Sequence, residues 1–276
     1  MVFIALPLNA VALSHQVLVS VAPHKFFVEK IAGDTVTVNL MVPAGASAHT
    51  FEPTPKQMLS AGRADIWFCI GENFETRASA ALKAYNGDLQ LIDLRQNVDM
   101  ITTDPHSGAH CCHCNSQDLH IWLSLRQGKI QATTIANALS ALYPEHAAQY
   151  QEALKIFIKE LDALDIKITE LLKPIKGHVI MVSHPAYAYF CRDYQLRQLS
   201  IEFEGKDPAP QQLNAILNQA RAENTRKIFI QKQYSSKGAH LFAKELNAEV
   251  ITLDPYSEDY LQTMLTIAKE FSQEGK

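Results

Sequence analysis

Three histidines and one aspartate, far apart in the chain, occupy positions where an α/β protein would build a metal site. His49, His184 and Asp254 each come soon after a strand-like apolar run, and His120 lies beyond the fourth such run. Open α/β sheets bind ligands outside the carboxyl ends of their strands, so these side chains are candidates for one shared site. Three imidazoles and one carboxylate suit tetrahedral Zn²⁺, whereas manganese sites usually contain more oxygen ligands.

The spacing of these four residues does not by itself establish a site. They form no local motif such as H-x-x-x-H, and a histidine in a folded protein often serves only as a structural hydrogen-bonding group. The residue types therefore leave two interpretations open, a shared metal site or four unrelated structural side chains.

Two groups of strand-like runs are separated by a long helical stretch. Several runs are apolar on both faces, which suits central parallel strands covered by helices. Their alternation with helical segments predicts an α/β architecture. The runs are 16–22, 35–42, 65–70 and 89–94 in the first group, and 178–183, 196–201, 227–231 and 249–253 in the second.

The helical stretch has one apolar seam whose spacing alternates between four and three residues. Pro144 suits its first turn and Pro174 its end. A helix of about 29 residues would be roughly 43 Å long, so it is either a long surface helix or a spine between two lobes. Its central position favours the spine. The seam residues are Tyr150, Leu154, Phe157, Leu161, Leu164, Ile168 and Leu171.

We therefore predict two lobes, each a four-stranded, mainly parallel sheet flanked by helices, joined by one long spine helix. The N-terminal lobe covers 15–143, the linking helix 144–176 and the C-terminal lobe 177–276. Residues 1–14 are apolar and end in small residues, which is typical of a signal-peptide remnant. The alternative for that segment is a buried first strand or helix.

The composition narrows the classes of partner. The chain has 276 residues, a net charge of −4 and scattered lysines and arginines. Nucleic acid is an unsuitable partner because there is no basic stripe. No apolar run reaches the length of a transmembrane helix. With no cysteine near the first segment to carry a lipid anchor, we expect an exported, soluble periplasmic protein.

Five segments resemble, in the same order, the motifs of the cluster A-I family, the metal-binding solute receptors of ABC importers. VPAGASAHTFEPTPKQM is similar to the loop that carries the first metal-binding histidine, and DLHIWLS and SHPAYAYF are similar to the second and third histidine motifs. Leu119 stands where the family usually has proline. DPAPQQLNAIL resembles a helix start, and EVITLDPYSEDYL resembles the loop that bears the acidic ligand.

The resemblance implies two lobes joined by a rigid helix, with one tightly bound metal ion between them. It transfers the ligand roles to His49, His120, His184 and Asp254. Histidine rather than glutamate at the third position favours Zn²⁺, with manganese or iron as the alternative. The implied partner is the membrane permease of an ABC transporter, and the protein is expected to be a monomer. Ala48 and Gln231 depart from the common pattern at positions that are not direct ligands.

A short segment after the fourth strand-like run of the first lobe is unusually rich in metal-binding side chains. The loop 106–120 is predicted to be a secondary, weaker metal site, a disulfide-closed surface loop, or a source of ligands for the main site or another metal. Cys111 and Cys114 form a C-x-x-C pair that suits zinc or copper(I). The candidate ligands of this loop are His106, His110, Cys111, Cys112, His113 and Cys114.

Two further residues are candidates for supporting roles. Glu52 either orients an imidazole by accepting its N–H or caps the helix that begins near Pro55. Trp122 follows the second histidine and is expected to shield the site from water. A mononuclear zinc hydrolase is the rival class, but the chain has no H-E-x-x-H, G-x-S-x-G or P-loop motif. We therefore predict a binding protein without catalytic residues.

Overall fold

The computed structural model describes residues 15–102, 117–202, 210–234 and 237–274. Within these residues the strands form two four-stranded sheets in which every strand pair is parallel. This confirms the predicted α/β fold. The strands are β1 (His15–Val19), β2 (Val36–Leu40), β3 (Ile66–Cys69) and β4 (Gln90–Asp93), then β5 (Val179–Val182), β6 (Arg197–Ser200), β7 (Lys227–Gln231) and β8 (Glu249–Leu253).

The two sheets have the same topology, with strand orders β2-β1-β3-β4 and β6-β5-β7-β8. In each sheet the strand order reverses between two central strands. These strands are β1 and β3 in the first sheet and β5 and β7 in the second. Such a switch point leaves a crevice outside the carboxyl ends of the strands, which is the usual ligand position in open parallel sheets.

Helices cover the sheets and connect the strands. The predicted linking helix is present as α5, extended by a single 3-10 turn at each end, Pro144–His146 and Lys173–Ile175. The helices are α1 (Ala22–Ala32), α2 (Pro55–Ala61), α3 (Asn73–Tyr85), α4 (Leu125–Leu142), α5 (Ala147–Leu172), α6 (Ala188–Asp193), α7 (Pro210–Ala222), α8 (Lys237–Leu246) and α9 (Tyr260–Phe271).

The apolar seam of α5 is buried along most of its predicted length. Tyr150, Phe157, Leu161 and Ile168 are at most 1% exposed, but near the end of the helix it is Leu172 that is buried, whereas Leu171 is only partly so. The predicted seam repeated every 3.5 residues, whereas a straight α-helix turns every 3.6 residues and drifts by about 20° per heptad. Over three heptads that drift moves the buried position by one residue.

The linking helix joins the two halves of the molecule through aromatic packing. It contacts α1 and α4 from the first half and α9 from the second. The ring of Phe27 packs against Phe157 at 5.1 Å and against Tyr260 at 4.7 Å, so α1, α5 and α9 meet at one buried cluster. Interiors of this kind are close-packed and resist large rearrangement. The exact lobe boundaries, 143/144 and 176/177, stay a prediction.

Among the helices that the structure describes, none combines the length and apolar character that crossing a membrane requires.

Candidate metal centre

Three of the predicted ligand residues meet at the carboxyl ends of the strands. His49 lies in a 3-10 turn after β2, His120 directly precedes the turn Ile121–Leu123, and His184 follows β5. One nitrogen of each ring lies within 4.8 Å of the corresponding nitrogens of the other two. The ring centroids are 5.1 to 5.4 Å apart. Two of these histidines come from the first half of the chain and one from the second.

Each imidazole has a carboxylate on its Nδ1 side. For His120, Nδ1 lies 2.8 Å from Oδ1 of Asp118. The same atom of His49 lies 3.1 Å from Oε2 of Glu72. A carboxylate accepts hydrogen bonds, so Nδ1 of each ring carries the proton and Nε2 keeps its lone pair.

The third ring repeats the arrangement, and the remaining nitrogens have no partner. Nδ1 of His184 lies 3.2 Å from Oε2 of Glu202. Nε2 of His120 and Nε2 of His184 are buried and make no hydrogen bond within the described residues. A buried polar atom without a partner costs about 1–3 kcal/mol, so native proteins seldom leave one unexplained. One metal ion bound by both Nε2 atoms would satisfy them.

The loop that carries one of these carboxylates, Glu72, is itself held in place by hydrogen bonds. The buried Glu75 side chain accepts hydrogen bonds from the backbone N–H groups of Ile70, Gly71 and Glu72, at 2.7 to 3.2 Å. Burial raises the pKa of Glu75 to about 7, against the opposing effect of these bonds and of Ser20. This network anchors the loop from which Glu72 reaches His49.

The protonation of the rings differs because their surroundings differ. Burial, and then the charges of His120 and His49, lower the pKa of His184 well below 6.5. Burial also lowers the pKa of His49, but the charge and hydrogen bond of Glu72 outweigh it, and the pKa of His49 is raised. His184 is therefore neutral at pH 7 and ready to bind a cation, whereas His49 must release a proton over part of the physiological range.

The space between the rings is very small. A cavity of about 10 Å³ is lined by the three histidines together with Asp118 and Pro185, among others. A cavity of roughly 10–15 Å³ holds one water molecule, so this one accommodates a single ion and not an organic substrate.

Asp254 follows β8 as predicted but does not belong to the group formed by the three histidines. Its Oδ1 accepts hydrogen bonds from Gln233 Nε2 at 2.7 Å and from the Tyr256 backbone N–H at 3.2 Å, and its Oδ2 accepts one from Lys232 Nζ at 3.3 Å. These bonds hold the carboxylate towards the loop after β7. A direct bond from Asp254 to the metal therefore stays a prediction that this geometry does not favour.

The two predicted supporting residues have different outcomes. The ring of Trp122 lies 5.5 Å from that of His120, is fully buried, and donates from Nε1 to the Pro255 carbonyl at 2.9 Å, consistent with a shielding role. Both interpretations of Glu52 were wrong. Its exposed carboxylate pairs with Arg77 instead.

The roles expected of Glu52 belong to other residues. Helix α2 is capped by the side chain of Thr54 in a capping box with Gln57. The imidazole of His49 is oriented by Glu72, which lies in the loop after β3. The rule that places ligands at the carboxyl ends of strands also indicates Glu72, so the sequence contained that signal.

A tyrosine that the sequence did not single out closes one side of the cluster. The ring of Tyr234 stacks on His184 with centroids 4.0 Å apart and an interplanar angle of 13°. Its hydroxyl oxygen accepts a hydrogen bond from Ser47 Oγ at 3.2 Å. Ser47 lies two residues before His49 in the first half of the chain and Tyr234 lies in the second half, so this bond connects the two halves.

The candidate loop ligands His106, His110, Cys111, Cys112, His113 and Cys114 lie outside the described residues.

Comparison with known proteins identifies relatives along almost the whole chain. The model of the family described as "Zinc-uptake complex component A periplasmic" (ZnuA) matches residues 17–274. A "Putative metal-binding protein" of Chlamydia trachomatis is 34% identical over 265 residues, which are 96% of this chain and 93% of that protein. The "Manganese ABC transporter substrate-binding lipoprotein scaA" of Streptococcus gordonii is 27% identical and aligns with 80% of this chain and 73% of its own length.

Solved structures agree with these sequence relatives. A crystal structure of ZnuA is 34% identical, covers 95% of this chain and 100% of that chain, and superposes with a TM-score of 0.88. A deletion mutant of ZnuA with zinc bound is also 34% identical, with a TM-score of 0.87 over 95% of this chain and 98% of that one.

Proposed function

Because this chain belongs to the ZnuA family of metal-binding substrate receptors for ABC transporters, we propose that it captures Zn²⁺ and delivers it to a membrane permease. The family consists of receptors and not of enzymes, and the cavity of about 10 Å³ beside the histidines gives a hydrolase no room for a substrate. We assign the capture to the periplasm and to a monomeric receptor.

The observation that carries the proposal is the pair of buried Nε2 atoms, on His120 and His184, that have no partner among the described residues. Together with His49 they offer three nitrogen ligands around a space for one ion. Three neutral imidazoles with one position left for water or a carboxylate are typical of zinc. Manganese sites take more oxygen ligands, and here one oxygen of each nearby carboxylate is engaged by an Nδ1 atom.

The ion is cargo, so the site has to bind it tightly and still release it. Carboxylates on the far side of each ring increase the basicity of the ligand nitrogens and fix their direction. Because ligands come from both halves of the chain, small movements of one half against the other alter the geometry. The linking helix limits such movements, and we propose that docking on the permease shifts the ligand loops and the bond between Ser47 and Tyr234.

Relatives support metal transport in general more strongly than zinc in particular. One solved relative is described with zinc bound, and a more distant one is named as a manganese lipoprotein. The metal is therefore to be identified on this chain itself, and iron or manganese in the same role is the alternative.

The test is metal content and stoichiometry by mass spectrometry under native conditions. It compares the wild type with His184→Ala, with a variant that lacks residues 106–114, and with the control His178→Ala, which alters an exposed histidine. We expect one tightly bound zinc ion in the wild type, the control and the loop deletion, and its loss in His184→Ala. Retention of the tight ion in His184→Ala together with its loss in the loop deletion would refute the site assignment.

A further inference from the structure

We infer that the chain has a second binding site for a divalent transition-metal ion, formed by His15, Glu145 and His146. It lies at the end of the first sheet opposite to the cargo site. One donor atom from each of the three side chains lies within 4.8 Å of the other two. Among the described residues this is the only other group of three potential ligands with such a spacing. The proposed cargo site does not use it.

The two sites lie at opposite ends of β1. His15 is the first residue of that strand, whereas the cargo site lies beyond the carboxyl ends of the strands. At about 3.3 Å per residue, the strand alone separates them by more than about 13 Å. No side chain can therefore contribute to both sites, and an ion in one leaves the ligands of the other untouched.

The distances suit a first-row divalent ion with nitrogen and oxygen ligands. Nε2 of His15 lies 3.5 Å from Oε1 of Glu145. Two ligands of a tetrahedral zinc ion with bonds of about 2.0–2.1 Å are about 3.4 Å apart, so this pair already has the required separation. His146 completes a set of two nitrogens and one oxygen, which is the ligand number of an open zinc site with water in the fourth position.

The residues around the group hold it in place. The ring of His15 stacks on that of Tyr143, with centroids 3.8 Å apart. The hydroxyl of Tyr143 donates to Asp65 Oδ2 at 2.9 Å, and the same oxygen accepts the backbone N–H of Gln16 at 2.8 Å. Asp65 therefore fixes both the start of β1 and the ring that supports His15.

The other two ligands lie on a tight turn that is fixed to the same tyrosine. The backbone N–H of His146 donates to the Tyr143 carbonyl at 3.0 Å. Glu145 and His146 belong to the 3-10 turn Pro144–His146, which directly precedes α5. Only side-chain rotations are needed to bring the three donors onto one ion.

An ordinary surface ion pair does not account for this arrangement. An exposed histidine–glutamate pair contributes little to stability, and it would need no second histidine or stacking partner. The N-terminus of α5 disfavours a cation, and Glu145 places a compensating negative charge there. Because the group is partly exposed, it binds zinc more weakly than the cargo site and fills after it.

An ion in this site connects the first strand of the sheet to the start of the linking helix. A ligand that binds only the folded chain stabilises it in proportion to the logarithm of the free ligand concentration. The melting temperature should therefore continue to rise with zinc after the cargo site is full.

The test is histidine-selective NMR on the full chain, first loaded with one equivalent of Zn²⁺ and then titrated with more at constant pH. We expect the ring signals of His15 and His146 to shift with the added zinc while those of the exposed His178 and His240 stay constant. Signals are assigned by single substitutions. Ring signals of His15 and His146 that stay constant while further zinc is taken up elsewhere would overturn the inference.

Glu145→Gln tests the oxygen ligand with almost no change in shape. In the variant that lacks residues 106–114, it should weaken the second zinc ion by at least about tenfold and abolish the additional rise in melting temperature, whereas His178→Asn should alter neither. Unchanged binding of the second ion in that variant after both Glu145→Gln and His15→Asn would refute the site. The first equivalent is monitored separately at His184, so failure of the second site is distinguishable from failure of the proposed cargo site.

Discussion

The carboxylate behind His49 gives the sharpest test of the proposed cargo site. Glu72→Gln keeps an oxygen that accepts the Nδ1 proton of His49, so the direction of the ring is retained and only the negative charge is removed. Loss of a partner of this kind costs about 10–100-fold in metal affinity. That range corresponds to about 1.4–2.7 kcal/mol of binding free energy.

The size of this loss should depend on pH. In the wild type, Glu72 raises the pKa of His49 above 6.5, so below that pKa the metal has to displace a proton. Without the charge of Glu72, burial lowers the pKa of His49 and the proton competes less. The affinity of Glu72→Gln should therefore fall by the full factor at pH 8 and by a smaller factor at pH 6.

The assay is competition with a zinc-binding fluorescent chelator at both pH values. Glu52→Gln is the matched control, because Glu52 is exposed and pairs with Arg77 rather than with an imidazole. We expect the control to bind zinc like the wild type at either pH. If Glu72→Gln binds as tightly as the control at pH 8, or if it loses the same factor at both pH values, the electrostatic argument is wrong.

Three further predictions concern single residues. Asp254→Asn should change zinc affinity by less than about threefold in the same assay, because the carboxylate is held by Lys232 and Gln233; a loss of tenfold or more would identify a direct ligand. Tyr234→Phe removes the hydroxyl that accepts from Ser47 and should accelerate zinc release, measured by stopped-flow transfer to a chelator, while an unchanged rate would exclude that bond from the release step. Burial lowers the pKa of His24 to about 4, and its hydrogen bond to Gln131 acts in the opposite direction. As the pH falls, the unfolded chain therefore binds a proton at this histidine before the folded chain does, and roughly 3 kcal/mol of stability should be lost between pH 6.5 and 4. Urea unfolding at several pH values measures this loss, and the stability of a His24→Gln variant should depend less on pH.

The sheets could be predicted from the sequence because burial determines them. All eight strand-like runs became strands, and the four residues of β5 are buried without exception. The linking helix was predictable for the same reason, since its seam is long and regular. The error at Leu171 and Leu172 arose where a small mismatch of period accumulated over the length of the helix.

The site was harder to predict because loops determine it. Position after a strand made the three histidines candidates and the family resemblance assigned them as ligands, but neither distinguished Glu52 from Glu72. Glu52 is close to His49 in sequence yet pairs with Arg77 in the structure, whereas Glu72 reaches His49 from the loop after β3. The contact of Tyr234 with Ser47 joins residues far apart in the chain, and no periodic pattern encodes such a contact.

The arrangement of charge explains how one site can be stable both empty and full. When ionised, Glu72, Asp118 and Glu202 bring three negative charges to the cluster, and buried charges need compensation. A bound divalent ion would supply two positive charges, and in its absence the raised pKa of His49 lets a proton supply part of the same compensation. Metal binding then exchanges a proton for an ion at His49, while His184, with its lowered pKa, needs no proton release. The cluster is consequently prepared for the metal before it arrives.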